Sequence, residues 1–453
     1  MRAFACLALT LLGATAPSPS PSPQFASIAA AAARTVASGS AKSIAFAVVQ
    51  NGAVVAVESQ GDAGPDTAYN IASVTKMFTA VSVLQLVDAG KLTLDSPIAR
   101  FYPAFPRAHE ITIRELLDHT SGIHNYLDEA LSDGTVNRRT TPDAILTEMA
   151  KRPLDFPPGT KWGYSNTNYV MLGRIVERVS GQSLERYESE HIYRPAGMTH
   201  TAMGRAATGT SVAGPFGWEG ARAGDASWYF ADGDILSTAA DLARFDVALM
   251  NGSLVSAGSF AEMQRTAPYA TLVPEMRAGL GVFVYPLAGA DLVGHHGGEP
   301  GYTSDNELVP ARRAAYVFLA NGKFAQADLL GAALLAYDPQ LLVRATSAPP
   351  AASALDPDPA LTARLQRFVV DLQRGVLDSD VLSPDVAGEF TQNVGTLQQS
   401  LRACTALQAL QFRSAGEYGG YHQRFYHAAC DGKSFDLRFV LDNDQQLEGL
   451  FFV

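Results

Sequence analysis

A serine and a lysine three residues apart offer the first chemistry in this sequence. Lys76 is the only charged residue between Ile71 and Val87, in the most apolar helical stretch of the chain. Ser73 stands three positions earlier and therefore shares its helical face. A serine hydroxyl becomes a nucleophile when a base removes its proton, and a desolvated lysine whose pKa falls by about 3 units can be that base. The alternative is an N-cap serine beside a lysine whose ammonium reaches solvent.

Tyr164 and Asn166 form a second candidate pair. They lie in a loop that follows the turn Pro157-Pro158-Gly159 and precedes a helical pattern ending at Gly181. A phenol can pass a proton to a leaving group, and an amide can hold a substrate carbonyl. The competing interpretation is turn chemistry, in which Asn166 or Asn168 caps the helix.

A glycine-rich segment from Gly294 to Gly298 contains the adjacent histidines His295 and His296. Neighbouring residues of a strand point to opposite faces, so at most one of the two should face a given cleft. A metal site made from this pair is therefore not expected. Gly297 and Gly298 let backbone N–H groups approach a ligand closely, as an oxyanion hole requires.

The elements that must position these groups are strands at both ends of a domain with helices between them. Asn51-Gly52 joins two β-branched runs, 43–50 and 53–59, as a hairpin. A helical pattern extends over about 73–263, and strand-like runs return at 281–285, 291–295 and 314–320. A helical stretch follows at 325–337. Because strict βαβ alternation is absent, we predict an α+β fold, with an antiparallel sheet built from both ends of the domain plus a helical lobe.

Together these segments resemble the serine β-lactamase and penicillin-binding-protein-like hydrolases, in particular their class C β-lactamase, D-alanyl-D-alanine carboxypeptidase and esterase branch. The likeness covers about residues 25–345, in family order. It is carried by four stretches, which are Asn70 to Lys76, Ile111 to Gly122, Phe156 to Gly159 and Gly294 to Gly301. The resemblance implies a β-lactamase/transpeptidase-like catalytic domain and hydrolysis through an acyl-enzyme.

The resemblance also implies a role for each candidate residue. Ser73 would be the catalytic nucleophile, Lys76 would be the base, and Tyr164 would share in proton transfer. Which of Lys76 and Tyr164 removes the serine proton stays open. Asn166 would orient Lys76 and the substrate amide.

The third motif departs from the family pattern. The backbone N–H groups of Ser73 and Gly298 would form the oxyanion hole, and His295 with Gly297 would take the place of the family's Lys-Thr-Gly. The register His296-Gly297-Gly298 is the alternative. Histidine is largely neutral at pH 7. We therefore expect an esterase or peptidase, acting on ester or amide bonds that include D-amino-acid peptides, rather than a β-lactamase or D-alanyl-D-alanine carboxypeptidase proper.

Other residues near these motifs have narrower interpretations. Glu299 suggests a substrate that carries an amine. Ser304-Asp305-Asn306 spells a class A β-lactamase motif, but it follows the third motif, so its order excludes that role. His119 and His124 fall in a segment that the family keeps near the core of the helical lobe, which predicts structural hydrogen bonding. A catalytically silent sensor or scaffold of the same fold is the alternative from another functional class.

Composition excludes further classes and suggests export. The chain has 453 residues and a net charge of −11, so it offers no basic surface for nucleic acid. We expect a small-molecule or peptide substrate, no cofactor and no metal. We interpret residues 1–24 as a signal peptide and Pro/Ser tether, because Arg2 precedes an apolar run and Ala14-Thr15-Ala16 supplies a cleavage site. No later segment is apolar enough to span a membrane. The protein should be exported, to the periplasm or the medium.

A second domain follows a linker. Residues 346–360 are rich in proline and alanine, and residues 361–453 have the pattern of a small α+β domain, similar to NTF2-like or cystatin-like domains. This domain could shape the cleft, bind an unknown partner or only stabilise the chain. Cys404 and Cys430 suggest one disulfide in an exported protein, with two buried free thiols as the alternative.

Overall fold

The computed structural model describes residues 25–216, 224–269, 276–287, 290–322, 356–378, 380–382, 407–418, 421–430, 433–442 and 445–452. Four sequence predictions lie outside these residues. They concern the signal peptide and tether at 1–24, the helical stretch at 325–337, most of the linker at 346–360, and Cys404.

The larger domain contains helices and strands of very different lengths. Its helices are α1 (Ala26–Ala37), α2 (Thr75–Asp88), α3 (Ile113–Leu117), α4 (Tyr126–Ser132), α5 (Pro142–Met149), α6 (Asn166–Ser180), α7 (Leu184–Glu188), α8 (Arg194–Ala196), α9 (Ala239–Met250) and α10 (Ala257–Gln264). Its strands are β1 (Ala41–Gln50), β2 (Ala53–Gly61), β3 (Tyr69–Asn70), β4 (Ala202–Met203), β5 (Ile235–Ser237), β6 (Arg277–Ala278), β7 (Phe283–Leu287), β8 (Ala290–Glu299), β9 (Tyr302–Val309) and β10 (Ala314–Gly322).

The C-terminal region adds α11 (Pro359–Gln373), β11 (Leu407–Tyr418), β12 (Tyr421–Cys430), β13 (Lys433–Leu441) and β14 (Leu447–Phe452). Within the described parts of the chain, none of the helices combines the length and apolar character needed to cross a bilayer.

One seven-stranded antiparallel sheet joins both ends of the larger domain, in the order β2-β1-β10-β9-β8-β7-β6. The N-terminal hairpin turns at Asn51 and Gly52, whose φ angles of 51° and 77° are the positive values that a two-residue hairpin turn favours. β1 then pairs with the last strand, β10, with Ala45 opposite Leu319. The predicted α+β fold, with a sheet built from both ends of the domain and a helical lobe, is confirmed.

The two faces of this sheet are covered by different helices. Phe46 and Val48 of β1 lie in a hydrophobic cluster with α1, whereas Ala47 and Val49 belong to the larger cluster of the helical lobe. This is the alternation that a strand with two buried faces requires. Because both faces are buried, the sheet holds β8 and β9 rigidly beside the helices that carry the candidate residues.

Helix α2 is the centre of the helical lobe. Every residue from Thr75 to Leu84 is buried, and the Phe78 ring stacks on Phe245 of α9 with 4.2 Å between centroids. A helix enclosed in this way has no solvent side at Lys76, so the ammonium must find hydrogen-bond acceptors inside the protein.

A three-stranded sheet, β3-β5-β4, ties distant segments together next to Ser73. Asn70 pairs with Leu236, and the Ile71 N–H donates to the Ile235 carbonyl at 3.0 Å. The segment that leads into Ser73 is thus joined to the segment 232–237, far away in sequence.

The C-terminal region is a small separate α+β domain. Its antiparallel sheet has the order β11-β12-β13-β14, and Leu365 and Phe368 of α11 share a buried cluster with Tyr426 and Phe439. The α+β pattern predicted for this region is confirmed. Cys430, at the end of β12, is disulfide-bonded. The likeness to NTF2-like domains stays a prediction.

Gly173 in α6 provides a test of the packing around this lobe. A Cβ at Gly173 would lie 2.8 Å from the Phe230 ring and nearer still to Ala231, whereas a Cβ at the exposed Gly258 of α10 would meet nothing closer than 3.7 Å. We expect Gly173→Ala to lower the free energy of unfolding by about 1–3 kcal/mol through overpacking. Gly258→Ala, the control, should leave it unchanged or raise it by up to about 1 kcal/mol. Urea unfolding measures both, and a Gly173→Ala variant as stable as the wild type would contradict this packing.

Candidate active site

Ser73 lies in a short 3₁₀ turn, Ala72–Val74, between β3 and α2. Ala72 has a φ angle of 45°, a left-handed value that costs a non-glycine residue roughly 1–2 kcal/mol. The Asn70 side chain stabilises this conformation by accepting a hydrogen bond from the Ala72 N–H at 2.6 Å. A strained turn therefore presents the Ser73 hydroxyl immediately before the first turn of α2.

The Lys76 ammonium donates three hydrogen bonds, all to neutral oxygens. The acceptors are Ser73 Oγ at 3.0 Å, Asn166 Oδ1 at 2.8 Å and the Asp232 carbonyl at 2.8 Å. Burial lowers the pKa of Lys76 to about 8, and the Asp232 carboxylate opposes that shift. The alternative of an ammonium that reaches solvent is wrong, and the lysine becomes neutral at a pH only slightly above physiological.

Tyr164 approaches the same serine from the loop before α6. Its hydroxyl donates to Ser73 Oγ at 3.0 Å, and Lys76 Nζ lies 5.0 Å from the centre of its ring. Burial raises the pKa of the phenol, with the Ser73 hydrogen bond opposing, so Tyr164 is protonated at neutral pH. One hydroxyl thus touches an amine that can accept a proton and a phenol that can supply one.

Asn166 is the first residue of α6, and its amide links two neighbours. Its Oδ1 accepts from Lys76, while its Nδ2 and backbone N–H donate to Asn125 Oδ1 at 3.2 and 2.9 Å. Tyr126, next along the chain, donates its hydroxyl to Asp232 Oδ2 at 3.0 Å. Two of the three groups that accept from Lys76 are therefore positioned by one segment at the start of α4.

Asp232 is the residue of this site that the sequence analysis missed. Its position differs from that of Lys76 by 156 in sequence, and the two meet only because β5 pairs with β3. The carboxylate is buried, and its Oδ1 has no hydrogen-bond partner. Burial raises the pKa of Asp232 to about 6, and the positive charge of Lys76 opposes the rise. No motif or spacing in the sequence marks this residue.

The outer part of β8 forms the opposite wall of the site. β8 pairs with β7 as far as Gly294 and Phe283, and it continues to Glu299 paired with β9 alone. A Cβ at Gly297 would lie 3.0 Å from the Ser73 backbone nitrogen and nearer still to the Ile71 carbonyl oxygen. Only glycine fits there, and it lets the backbone of β8 approach that of Ser73 closely. The next residue, Gly298, is exposed and has open space above it.

His295 and His296 do not separate as strand alternation predicted. Their ring centroids lie 5.7 Å apart, and both rings contact that of Phe283, at 4.8 and 5.5 Å. His295 Nδ1 lies 2.6 Å from the His296 carbonyl oxygen, within hydrogen-bond distance. His295 also faces Tyr164, with 6.3 Å between ring centroids, and its burial holds its pKa well below the usual histidine range.

Acidic side chains lie on the same side of the site as Glu299. One Glu299 carboxylate oxygen is buried without a hydrogen-bond partner. Burial and the charge of Asp232 raise the pKa of Glu299 and of Asp234, each to about 8. A cation placed there would be attracted to Asp232 and would favour ionised Glu299 and Asp234. Across the described residues, His, Cys, Asp and Glu side chains do not gather into a cluster of three or more suited to a metal.

The remaining polar residues of interest make structural hydrogen bonds. Ser304 lies in β9, and its hydroxyl donates a hydrogen bond to the Ile71 carbonyl at 2.6 Å. This bond supports the turn that carries Ser73. Asn306 donates to a buried carboxylate of α9. His124 Nδ1 lies 2.9 Å from Asp155. His119 lies against the ring of Tyr164.

Family comparison agrees with this geometry. Residues 28–338 match the family model named Beta-lactamase. The chain belongs to the beta-lactamase family. This is a family of serine hydrolases, so the predicted resemblance is confirmed.

Two curated relatives show how broad this family is. A Bacillus subtilis protein named penicillin-binding protein PbpX is 29% identical over 60% of this chain and 69% of its own length. Esterase EstB of Burkholderia gladioli is 40% identical over 29% of this chain, and the match spans only 38% of the esterase.

Solved structures give a similar result for the fold. A D-stereospecific amidohydrolase from Streptomyces superposes with a TM-score of 0.62 and 26% identity, over 68% of this chain and 98% of that one. D-amino acid amidase from Ochrobactrum anthropi superposes with a TM-score of 0.61 and 26% identity, over 72% of this chain and 99% of that one. The β-lactamase/transpeptidase-like fold of the larger domain is confirmed.

The pKa of Lys76 can be measured directly. In protein labelled with ¹³C at lysine Cε, the Lys76 signal, identified by its loss in Lys76→Met, should titrate near pH 8, whereas exposed lysines titrate at ~10.4. Asp232→Asn should move the Lys76 midpoint to lower pH, because the lost carboxylate favours the charged ammonium. Asp95→Asn, an exposed control, should not move it. A Lys76 midpoint at the ordinary lysine value would contradict this account of its environment.

Proposed function

We propose that this protein is a serine hydrolase that cleaves ester or amide bonds through an acyl-enzyme on Ser73. The observation that carries the proposal is the position of Ser73 Oγ, which lies 3.0 Å from both Lys76 Nζ and Tyr164 Oη. An amine of lowered pKa and a protonated phenol supply the proton acceptor and the proton donor that acyl transfer needs. Relatives named as an esterase and an amidohydrolase support the same reaction class.

In the proposed reaction, neutral Lys76 accepts the Ser73 proton as Oγ bonds to the substrate carbonyl carbon. The carbonyl π electrons move to its oxygen, and the N–H groups of Ser73 and Gly298 hold that oxyanion. The bond to the leaving group then breaks, and the leaving group takes a proton from Tyr164, which regains one from Lys76. Water attacks the acyl-enzyme by the same route, so the acid is released and the Ser73 proton is restored.

Two features of the third motif support a substrate class. Buried His295 is uncharged at neutral pH, so it offers no cation for a substrate carboxylate, and this disfavours a β-lactamase or D-alanyl-D-alanine carboxypeptidase proper. The acidic side chains of Glu299 and Asp232 instead favour a free amine. Structural relatives named for D-stereospecific amide hydrolysis point the same way. We infer amides and esters of D-amino acids with an unblocked amino group.

Export and domain organisation are proposed on separate grounds. The basic and apolar start of the chain and its Ala14-Thr15-Ala16 site support a signal peptide within residues 1–24. The disulfide-bonded state of Cys430 supports an oxidising compartment, and we propose Cys404 as its partner. Division into a catalytic domain at 25–345, a linker and a domain at 361–453 is part of the same proposal.

Labelling with a fluorophosphonate tests the nucleophile. We expect a single adduct, mapped to Ser73 by peptide mass spectrometry and absent in Ser73→Ala. Lys76→Met should slow labelling by a factor on the order of 10²–10⁴, since a positioned base contributes about that much. Ser82→Ala is the matched control, because Ser82 is a buried serine of α2 whose hydroxyl has no hydrogen-bond partner. Well-folded wild type that takes no label would favour the silent sensor or scaffold.

The amine preference is tested by paired substrates. D-alanine p-nitroanilide should be cleaved with a higher kcat/KM than its N-acetylated form, because the free ammonium is attracted by the charge of buried Asp232 and favours the ionised form of Glu299. In Glu299→Gln the ratio of the two kcat/KM values should fall by about tenfold, as expected when one charge-assisted contact worth roughly 1.4 kcal/mol is lost. A wild type that prefers the N-acetylated substrate would refute the amine preference without touching the role of Ser73.

A further inference from the structure

The imidazole of His119 packs directly on the ring of Tyr164. Their centroids lie 4.4 Å apart with 31° between the ring planes, and the other side of this small aromatic group is Tyr169, 5.2 Å from His119. His119 is 3% exposed, so it is a fixed part of the wall behind Tyr164 rather than a group that substrate could reach.

His119 accepts hydrogen bonds from the two residues on either side of Tyr164. The N–H of Gly163 donates to the His119 carbonyl at 2.9 Å, and the N–H of Ser165 donates to His119 Nδ1 at 3.1 Å. The residues immediately before and after Tyr164 are thus both bonded to one residue, which also supports its ring. As long as these contacts persist, the loop can rotate little. The Tyr164 hydroxyl is therefore kept beside Ser73.

His119 is itself held in an unusual backbone conformation. Its φ angle is 61°, in the left-handed region, and the next residue, Thr120, donates its N–H to the Glu115 carbonyl at 3.0 Å and to Asp118 Oδ1 at 3.1 Å. Left-handed backbone is costly for a histidine, and such conformations persist where surrounding structure requires them. Burial and the nearby charge of Lys76 hold the pKa of His119 well below its usual range, so Nδ1 remains a hydrogen-bond acceptor at neutral pH.

We propose that His119 is a positioning residue, which fixes the Tyr164 hydroxyl on Ser73 Oγ through its Nδ1 acceptor, its carbonyl and its ring. This inference rests on the proposed role of Tyr164 in proton transfer. His119 contacts no reacting atom in this arrangement, and it acts only through Tyr164 and the loop 163–165.

Two substitutions at His119 separate the contributions. Asn tolerates left-handed backbone, and its Oδ1 can occupy the place of the imidazole Nδ1. Gly also tolerates that backbone but removes both the acceptor and the ring. We expect His119→Asn to keep the rate of acylation by p-nitrophenyl acetate within about tenfold of wild type, and His119→Gly to lower it by a factor on the order of 10², the usual effect of a small displacement of a catalytic group.

A double-mutant cycle with Tyr164→Phe decides whether the effect passes through Tyr164. In the Tyr164→Phe background, where no hydroxyl remains to be positioned, neither substitution at His119 should lower the acylation rate further. Thermal unfolding of all variants is followed in parallel, because loss of packing lowers the melting temperature in both backgrounds while only positioning shows this non-additivity. If His119→Gly does not fold, His119→Ala, which also lacks the acceptor and the ring, takes its place in the cycle.

Three results would overturn it. They are a His119→Gly enzyme as fast as the wild type, a rate loss of equal size with and without the Tyr164 hydroxyl, and a folded His119→Asn enzyme as slow as His119→Gly. Failure of the proposed function looks different, because the wild type itself would then form no acyl-enzyme on Ser73. Failure of the proposed role of Tyr164 would leave Tyr164→Phe acylating at the wild-type rate.

Discussion

A buried ammonium that must be satisfied by neutral oxygens is the constraint on which the rest of this structure depends. Lys76 has no access to solvent, and an amine left unpaired in such a place would be strongly destabilising. Its acceptors come from the turn before α2, from the start of α6 and from the segment before β5. These three segments are far apart in sequence, so the helical lobe has to bring them together to accommodate one side chain. Stability and candidate chemistry therefore depend on the same contacts.

Burial determines which of the groups around this ammonium carry a proton at neutral pH. Lys76 is brought to a pKa at which it can give up its proton, while Tyr164 is held protonated. His119 and His295 are both kept neutral, so neither adds a second positive charge beside Lys76. The remaining charge lies on the acidic side, at Asp232. Desolvation is the largest cause of each shift, which means that the dryness of the site, more than any single ion pair, sets its protonation state.

The sequence predicted those features that are encoded locally. Asn51-Gly52 gave the first hairpin, the apolar surroundings of Lys76 gave a buried α2, and Gly181 marked the end of α6. The capping role considered for Asn166 was wrong, because Ser165 occupies the N-cap and Asn166 turns inward to Lys76. β9 was not among the predicted strands, because its central residues Ser304 to Glu307 are polar, although all four are buried. Asp232 reaches Lys76 through pairing between remote strands, whereas the convergence of the two histidine rings on Phe283 depends on side-chain rotation within the β7–β8 hairpin. No local sequence pattern records either.

The pairing of β1 with β10 also governs when this site can come into existence. Ser73 lies soon after the first hairpin, whereas Gly297 and Gly298 lie on a strand made near the end of the domain. On a growing polypeptide, β1 keeps one unpaired edge until β10 has been synthesised, and such an edge readily pairs with other chains. Contacts between the two ends of a domain are also the slowest to form. The larger domain therefore cannot mature stepwise from its N terminus, and Ser73 meets β8 only late in folding.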